Sequence, residues 1–326
     1  MKTNLKQLAR YCGVDASTVS RALKNDPRIS DATIAKVHEA AAKHGYQPNI
    51  AARMLKEGSS RFIWMVVPAL GTPVDWRIAE RASFSSAKRG YDTAITVHHG
   101  SQEDFERIVQ NMSAGLAAGA IINRRDIRDI TSVKTLIARG FPVVFVDVPV
   151  YSLDLGVVTT DHPAATIDLV GASLKAGARQ FLFIFDRRRN RVEELRYDGA
   201  VQAISRQGLR GLFVTEDTEW REHLIKDGTL AILGNSQEPI MAFYRANEAL
   251  LAERDIVVAC FDEWSGPIHP FRECTVAVQD YDGMADAALE HLFALLENQQ
   301  PKQKLALPLS ELRHYRAPIP IHAKCS

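Results

Sequence analysis

A chain of 326 residues, 46% hydrophobic and 24% charged, has the composition of a soluble globular protein of two or three domains. The N-terminus lacks an apolar run of signal-peptide length, no stretch approaches a membrane span, and Cys12, Cys260, Cys274 and Cys325 show neither metal-ligand spacing nor disulfide-scaffold density. The expectation is a cytoplasmic protein with reduced thiols, no disulfide, no metal and no cofactor. The net charge of +1 hides an asymmetry, since residues 1–61 carry 11 Lys and Arg against 5 Asp and Glu, and the remainder 29 against 34. A basic head on a mildly acidic body suits a phosphate-binding module joined to a small-molecule sensor, although charge alone would equally describe a solvated surface.

Asn4 followed by Gln7 predicts a capping box that opens a first helix, with Leu5, Leu8 and Ala9 as its apolar stripe and Gly13 as its stop. Asp15 is placed to cap a second helix whose inner face is Val14, Val19, Ala22 and Leu23. Its outer face, Ala16, Ser17, Ser20 and Arg21, is small and polar with one cation, which suits a helix laid in a major groove. Two short helices with a tight turn also occur in proteins that never touch DNA, so the pattern gains its force from context. Ser30-Asp31 caps a third helix through Lys43, Gly45 ends it, and Asn49 caps a helix of one to two turns closed by Gly58.

After the joint Gly58-Ser59-Ser60 the pattern changes to alternating strands and helices. Apolar strands are predicted at 62–67, 93–97, 120–122 and 143–146, with helices at 76–89, 103–112 and 132–138 between them. The alternation then restarts, with strands at 156–159, 181–185, 211–214, 230–233, 256–260 and 275–278, helices at 164–175, 192–207, 238–253 and 280–297, and closing strands at 305–309 and 312–315. Short buried strands spaced by helices predict two parallel sheets covered on both faces, with ligands at the carboxyl ends of the strands. The Pro318-Ile319-Pro320 tail reads as unfolded or surface-bound.

Leu8-Ala9, Gly13-Val14, Thr18-Val19-Ser20-Arg21, Gly45-Tyr46-Gln47-Pro48-Asn49 and Ala51-Ala52-Arg53-Met54-Leu55 resemble the LacI/GalR family of bacterial transcriptional regulators. The resemblance covers nearly the whole chain. It implies an all-α helix-turn-helix domain at 1–47, a hinge helix and linker at 48–60, and an α/β two-lobed body at 61–326 similar to periplasmic binding proteins. Lobe 1 would hold about 61–160 and 280–309, and lobe 2 about 161–279 and 310–326, with chain crossings near Asp161, near Gln279 and after Leu309. No heptad run follows Ala317, so a homodimer on double-stranded operator DNA is expected rather than a coiled-coil tetramer.

The resemblance makes Ala16, Ser17 and Arg21 the base readers, Arg21 foremost because a guanidinium can donate twice to guanine. Asn4, Thr18, Ser20, Asn25, Ser30 and Tyr46 are phosphate contacts or plain caps and surface residues, and the sequence leaves both readings open. Asn49, Ala52 and Leu55 complete the DNA set, Leu55 being either a packing residue or a wedge between base steps, the use the family makes of it. For a small-molecule effector, Asn123, Asp147, Asn235 and Asp262 follow strands, Arg196 lies in Arg196-Tyr197-Asp198-Gly199, and Gln279 stands at a crossing. Such groups can hydrogen-bond the vicinal hydroxyls of a sugar or sugar derivative, while Trp220 is either a stacking platform or a core residue.

Ser236, Cys260 and Ala178 depart from the family's pattern, as does the basic run at 186–191, which reads as a solvated surface or as a site for an anionic group. Phosphate-cradling glycine loops, a G-x-S-x-G elbow and H-E-x-x-H are missing from the sequence, which speaks against an α/β enzyme. Residues 1–60 speak against a transport binding protein.

Overall fold

The computed structural model describes residues 3–47, 60–114, 117–150, 156–184, 190–214, 220–225, 227–264, 268, 270–299 and 304–316. The chain divides into two compact units, Met1–Ser60 and Arg61–Ser326.

The first unit packs α1 (Leu5–Cys12), α2 (Ala16–Ala22) and α3 (Asp31–Lys43) around Leu8, Ala9, Cys12, Val19, Ala22, Val37 and Ala41. The capping box forms in full, with the Gln7 amide donating to Asn4 Oδ1 and the Asn4 amide to Gln7 Oε1, both at 2.9 Å. Gly13 ends α1 at φ 66°, a left-handed turn that a residue with a Cβ adopts only at a cost. Asp15 occupies the N-cap of α2, but its side chain makes no capping hydrogen bond, so the expected carboxylate cap is not realised. Ser30 does cap α3, accepting from the Thr33 amide.

The second unit contains two six-stranded sheets. The first joins β1 (Phe62–Val67), β2 (Asp92–Val97), β3 (Gly119–Ile122), β4 (Val143–Val146), β5 (Val157–Thr160) and β11 (Lys304–Leu307) in the order β11-β5-β4-β3-β1-β2, all parallel. The second joins β6 (Ala178–Phe183), β7 (Arg210–Phe213), β8 (Thr229–Leu233), β9 (Ile256–Phe261), β10 (Glu273–Gln279) and β12 (Leu309–Arg316) in the order β12-β10-β9-β8-β6-β7. The two orders correspond strand for strand. Central strands such as β4 and β9 are buried along their whole length, which is why they read as unbroken apolar runs.

Helices α4 (Pro73–Ala87), α5 (Gln102–Ser113), α6 (Thr131–Ala138) and α11 (Tyr281–Leu296) belong to the first lobe. Arg81 and Ser85 of α4 both donate to Asp286 of α11, tying the returning helix to this lobe. The second lobe carries α7 (His162–Lys175), α8 (Arg191–Gln207), α9 (Gln237–Ala246) and α10 (Glu248–Leu251). Gly199 of α8 lets α7 approach closely, since a Cβ there would stand 2.6 Å from the Pro163 carbonyl oxygen.

Three expectations need correction. The single helix expected over 238–253 is broken at Asn247, whose side-chain amide donates to the Phe243 carbonyl and competes with the helical ladder. The strand expected over 305–309 is two strands in different sheets, parted at Pro308, so the third crossing precedes Leu309. The second sheet is not wholly parallel, because β12 runs antiparallel to β10. Cys12, Cys260 and Cys274 are buried free thiols, and no helix among the described residues is long and apolar enough to cross a membrane.

Candidate functional site

In the head, α2 turns Val19 and Ala22 into the core and leaves Ser17 and Arg21, one turn apart, exposed. The Arg21 guanidinium makes no hydrogen bond to any described residue, which leaves its five donors free for an external acceptor. Thr18 and Ser20 flank it half-exposed, and Asn4 and Ser30 are engaged as caps. Ala16, expected on the outer face, is half-buried and packs against the core instead. Tyr46 likewise packs there, and burial raises its phenol pKa. Asn25 takes φ 53° in the turn after α2 and pairs through Oδ1 with His38 Nε2 at 3.1 Å. Asn49, Ala52 and Leu55 lie outside the described residues.

In the body, polar side chains converge from the strand ends of both lobes. Asn123 follows β3 and donates through Nδ2 to Asp147 Oδ2 at 3.3 Å and to Asp75 Oδ1 at 3.4 Å. Asp75, wholly buried in the first turn of α4, also accepts from Thr72 Oγ1 and from Arg125, each at 2.7 Å. Asp147 follows β4 at φ 69° and is 4% exposed. Burial pushes its carboxyl up to about 6, against the pull of Arg125 and Arg196 and with the help of Asp262 and Asp75. For Arg125 burial opposes the charge, but Asp75 and then Asp147 outweigh it and its pKa rises.

From the second lobe, Arg196 lies 3.6 Å above the Phe261 ring centroid and donates to Asn235 Oδ1 at 2.8 Å and, through Nε, to His162 Nδ1 at 3.4 Å. Burial lowers its pKa, and Asp262, Asp147 and Glu193 partly restore it. Asp262 follows β9 at φ 72° and accepts on Oδ1 from Gln279 Nε2 at 2.5 Å and from Tyr281 at 2.9 Å. At the crossings, Thr160 donates to Gln279 Oε1 at 2.6 Å, joining the end of β5 in one lobe to the end of β10 in the other.

Six of the seven expected effector residues, Asn123, Asp147, Arg196, Asn235, Asp262 and Gln279, thus belong to one network of contacts and fields. Trp220 does not join it through any described hydrogen bond or ring contact. It sits in a 3-10 turn, 4% exposed, with its ring 5.0 Å from Phe243, the placement of a core aromatic. Asp75, Arg125, His162, Glu193 and Tyr281 belong to the network without having been expected. A cleft with these acceptors and fixed guanidinium groups can bind a ligand rich in hydroxyls. No group of three or more His, Cys, Asp or Glu able to hold a metal ion occurs among the described residues.

The family model described as "Bacterial regulatory proteins, lacI family" matches residues 4–49. The chain is 33% identical over 112 residues to the maltose regulon regulatory protein MalI of Vibrio furnissii, an alignment covering 34% of this chain and 82% of that protein. It is 24% identical over 328 residues to the HTH-type transcriptional regulator PtxS of Pseudomonas aeruginosa, covering 94% of this chain and 93% of the other. Among solved structures, the lac repressor dimer bound to operator and the anti-inducer ONPF superposes with a TM-score of 0.80 at 20% identity, over 98% of this chain and 100% of that one. At that identity the likeness speaks for the shared fold.

Proposed function

The chain belongs to the lacI family of bacterial regulatory proteins, and from that membership we propose that it is a sequence-specific transcriptional repressor whose operator binding is controlled by a sugar or sugar derivative. The observation that carries the DNA half is α2, a helix with Val19 and Ala22 in the core and with Ser17 and a free Arg21 guanidinium exposed one turn apart. That spacing lets two side chains reach neighbouring base edges from a helix in the major groove. The effector half is supported by the convergence of Asn123, Asp147, Arg196, Asn235, Asp262 and Gln279.

The assembly we propose is a homodimer on a pseudo-palindromic operator. Leu70, Trp76, Phe84 and Ile95 in the first lobe, and Ile225 and Leu250 in the second, expose large apolar side chains that a second copy would cover. Residues 48–60 serve in this reading as the hinge, with Asn49, Ala52 and Leu55 meeting the minor groove. The test is selection of bound duplexes from a random pool by the purified full chain. A two-fold-symmetric site whose affinity falls steeply with salt is expected. Retention of that site by protein lacking residues 1–60 would refute the assignment of DNA binding to the head.

A further inference from the structure

The two lobes present matching polar groups to the cleft. Asp75 and Glu193 occupy the third position of α4 and α8, counted from the N-caps Thr72 and Asn190, and both are buried. Asn123 and Asn235 follow β3 and β8, and Asp147 and Asp262 follow β4 and β9 in the same left-handed conformation. Each lobe adds one arginine, Arg125 or Arg196. Within this matched set there are two carboxylates to one guanidinium on either side, and Arg77 of the first lobe stands beside it, 5.0 Å from the Tyr281 ring centroid.

Both arginines are held in place, although each keeps N–H groups with no hydrogen-bond partner among the described residues. Arg125 is held by Asp75 at 2.7 Å, and Arg196 is stacked on Phe261 and bonded to Asn235. The side-chain oxygens that lack a hydrogen-bond partner among the described residues include Asp147 Oδ1 and Asp262 Oδ2, one from each lobe, and these are acceptors. A ligand that engages these two carboxylates must supply donors. A phosphate or carboxylate would meet two nearby carboxylates across a poorly screened site. Of the first lobe's cations, Arg77 lies over the Tyr281 ring and Arg125 is held by Asp75, so drawing Arg125 toward an anion would strand Asp75 as an unpaired buried charge.

We propose that the cleft selects a donor-rich ligand with no anionic group, a neutral or aminated polyol, and that Asp75 sets this selectivity by holding Arg125. The inference rests on the sugar-effector reading above. Asp75 acts here as a positioning residue. It fixes Arg125 through Oδ2 and steadies Asn123 through Oδ1.

The test is calorimetry on the full chain with the common hexoses and their disaccharides, the 2-amino hexoses, the hexose 6-phosphates and the aldonates. Binding should be confined to the neutral and amino members. A hexose 6-phosphate or aldonate that bound at least as tightly as its neutral parent would overturn the charge rule while leaving the sugar reading intact. Silence across the whole panel would instead overturn the sugar reading and this inference with it. In Asp75→Asn the released guanidinium should raise affinity for the phosphate or aldonate of the bound sugar at least tenfold, and a folded variant with no such gain would remove Asp75 from the role. Should that variant not fold, Asp75→Asn/Arg125→Gln keeps the pair neutral. It should bind the neutral sugar within tenfold of the wild type without gaining the anion, whereas a gain there would show that Arg125 is not the recipient and overturn the role of Asp75.

Discussion

Asp147→Asn should stabilise the free protein, although it removes a group that the proposed effector needs. The substitution keeps the shape of the side chain, and asparagine accepts the left-handed backbone at φ 69° as readily as aspartate does. What it removes is a carboxylate that is 4% exposed and whose pKa burial has raised from 3.8 to about 6. A shift of about 2 units corresponds to roughly 3 kcal/mol of penalty on the ionised form. The sign follows from linkage. A carboxyl with its folded pKa above its unfolded one binds the proton more tightly when folded, so the penalty is complete above about pH 6 and fades toward pH 4. The gain from Asn should therefore be greatest at pH 8 and close to zero at pH 4, where the wild-type side chain is neutral as well. At pH 8 it should raise the midpoint of thermal unfolding by several degrees, about 2 to 4 °C per kcal/mol for a unit of this size. Trp64, Trp76, Trp220 and Trp264 all lie in the body, so tryptophan fluorescence of the full chain follows this unit alone. A variant less stable than wild type at pH 8, or a difference that does not change with pH, would refute the account of the cleft as carrying excess buried negative charge.

Arg21→Ala should cost about 1–3 kcal/mol at the selected operator and relax preference at one base pair in each half-site, measured by titration of single-base operator variants; an equal loss on all sequences would mark a phosphate contact. Gly199→Ala should destabilise the body by about 1–3 kcal/mol, because the added Cβ must push α7 away from α8, and calorimetry should show weakened effector binding, since Arg196 lies one turn earlier on the same helix. Leu55→Ala should weaken operator binding much more than non-specific binding, read from the ratio of the two affinities. Several glycines inserted after Gly58 should leave both DNA and effector binding in place while abolishing the effect of one on the other. A mutant that kept its full response would remove the hinge as the coupling element.

The elements whose burial is uniform were legible in the sequence. Strand β4 begins and ends where its apolar run does, because a strand covered on both faces has no polar residue to blur its limits. Strand β12 was harder, since its half-buried residues Leu309, Leu312 and Tyr315 recur at every third position rather than in alternation, and its direction depends on Pro308 sending the chain across to the other sheet. The break at Asn247 was invisible for a related reason. An asparagine in a helical pattern is weakly unfavourable everywhere, and only the Phe243 carbonyl and Arg221, which donates to its Oδ1 at 2.8 Å, select this position.

The cleft divides along the same line. Asn123, Asp147, Asn235 and Asp262 could be found because a polar residue directly after a buried strand stands out against the run before it. Asp75 and Glu193 could not, because an acid in the first turn of a helix is ordinary company for the helix dipole and is usually solvated there. The helix containing Asp75 was also expected to begin at Trp76, after the residue that matters, whereas Pro73 in fact opens it. What distinguishes these two carboxylates from surface acids is their equivalence across the lobes, and the adjacent sequence repeats little more than the buried valine before each, Val74 and Val192. The repeat exists in the order of the strands and in the turns at 147 and 262. On the proposal above the constraint it carries is on charge: Asp75, Asp147, Glu193 and Asp262 share the interface between the lobes with Arg125 and Arg196, so a donor-rich ligand bonds the carboxylates of both lobes most fully when the lobes close on it. A ligand of that kind has differential affinity for the closed arrangement, which is the thermodynamic requirement for binding in the body to change an equilibrium at the head.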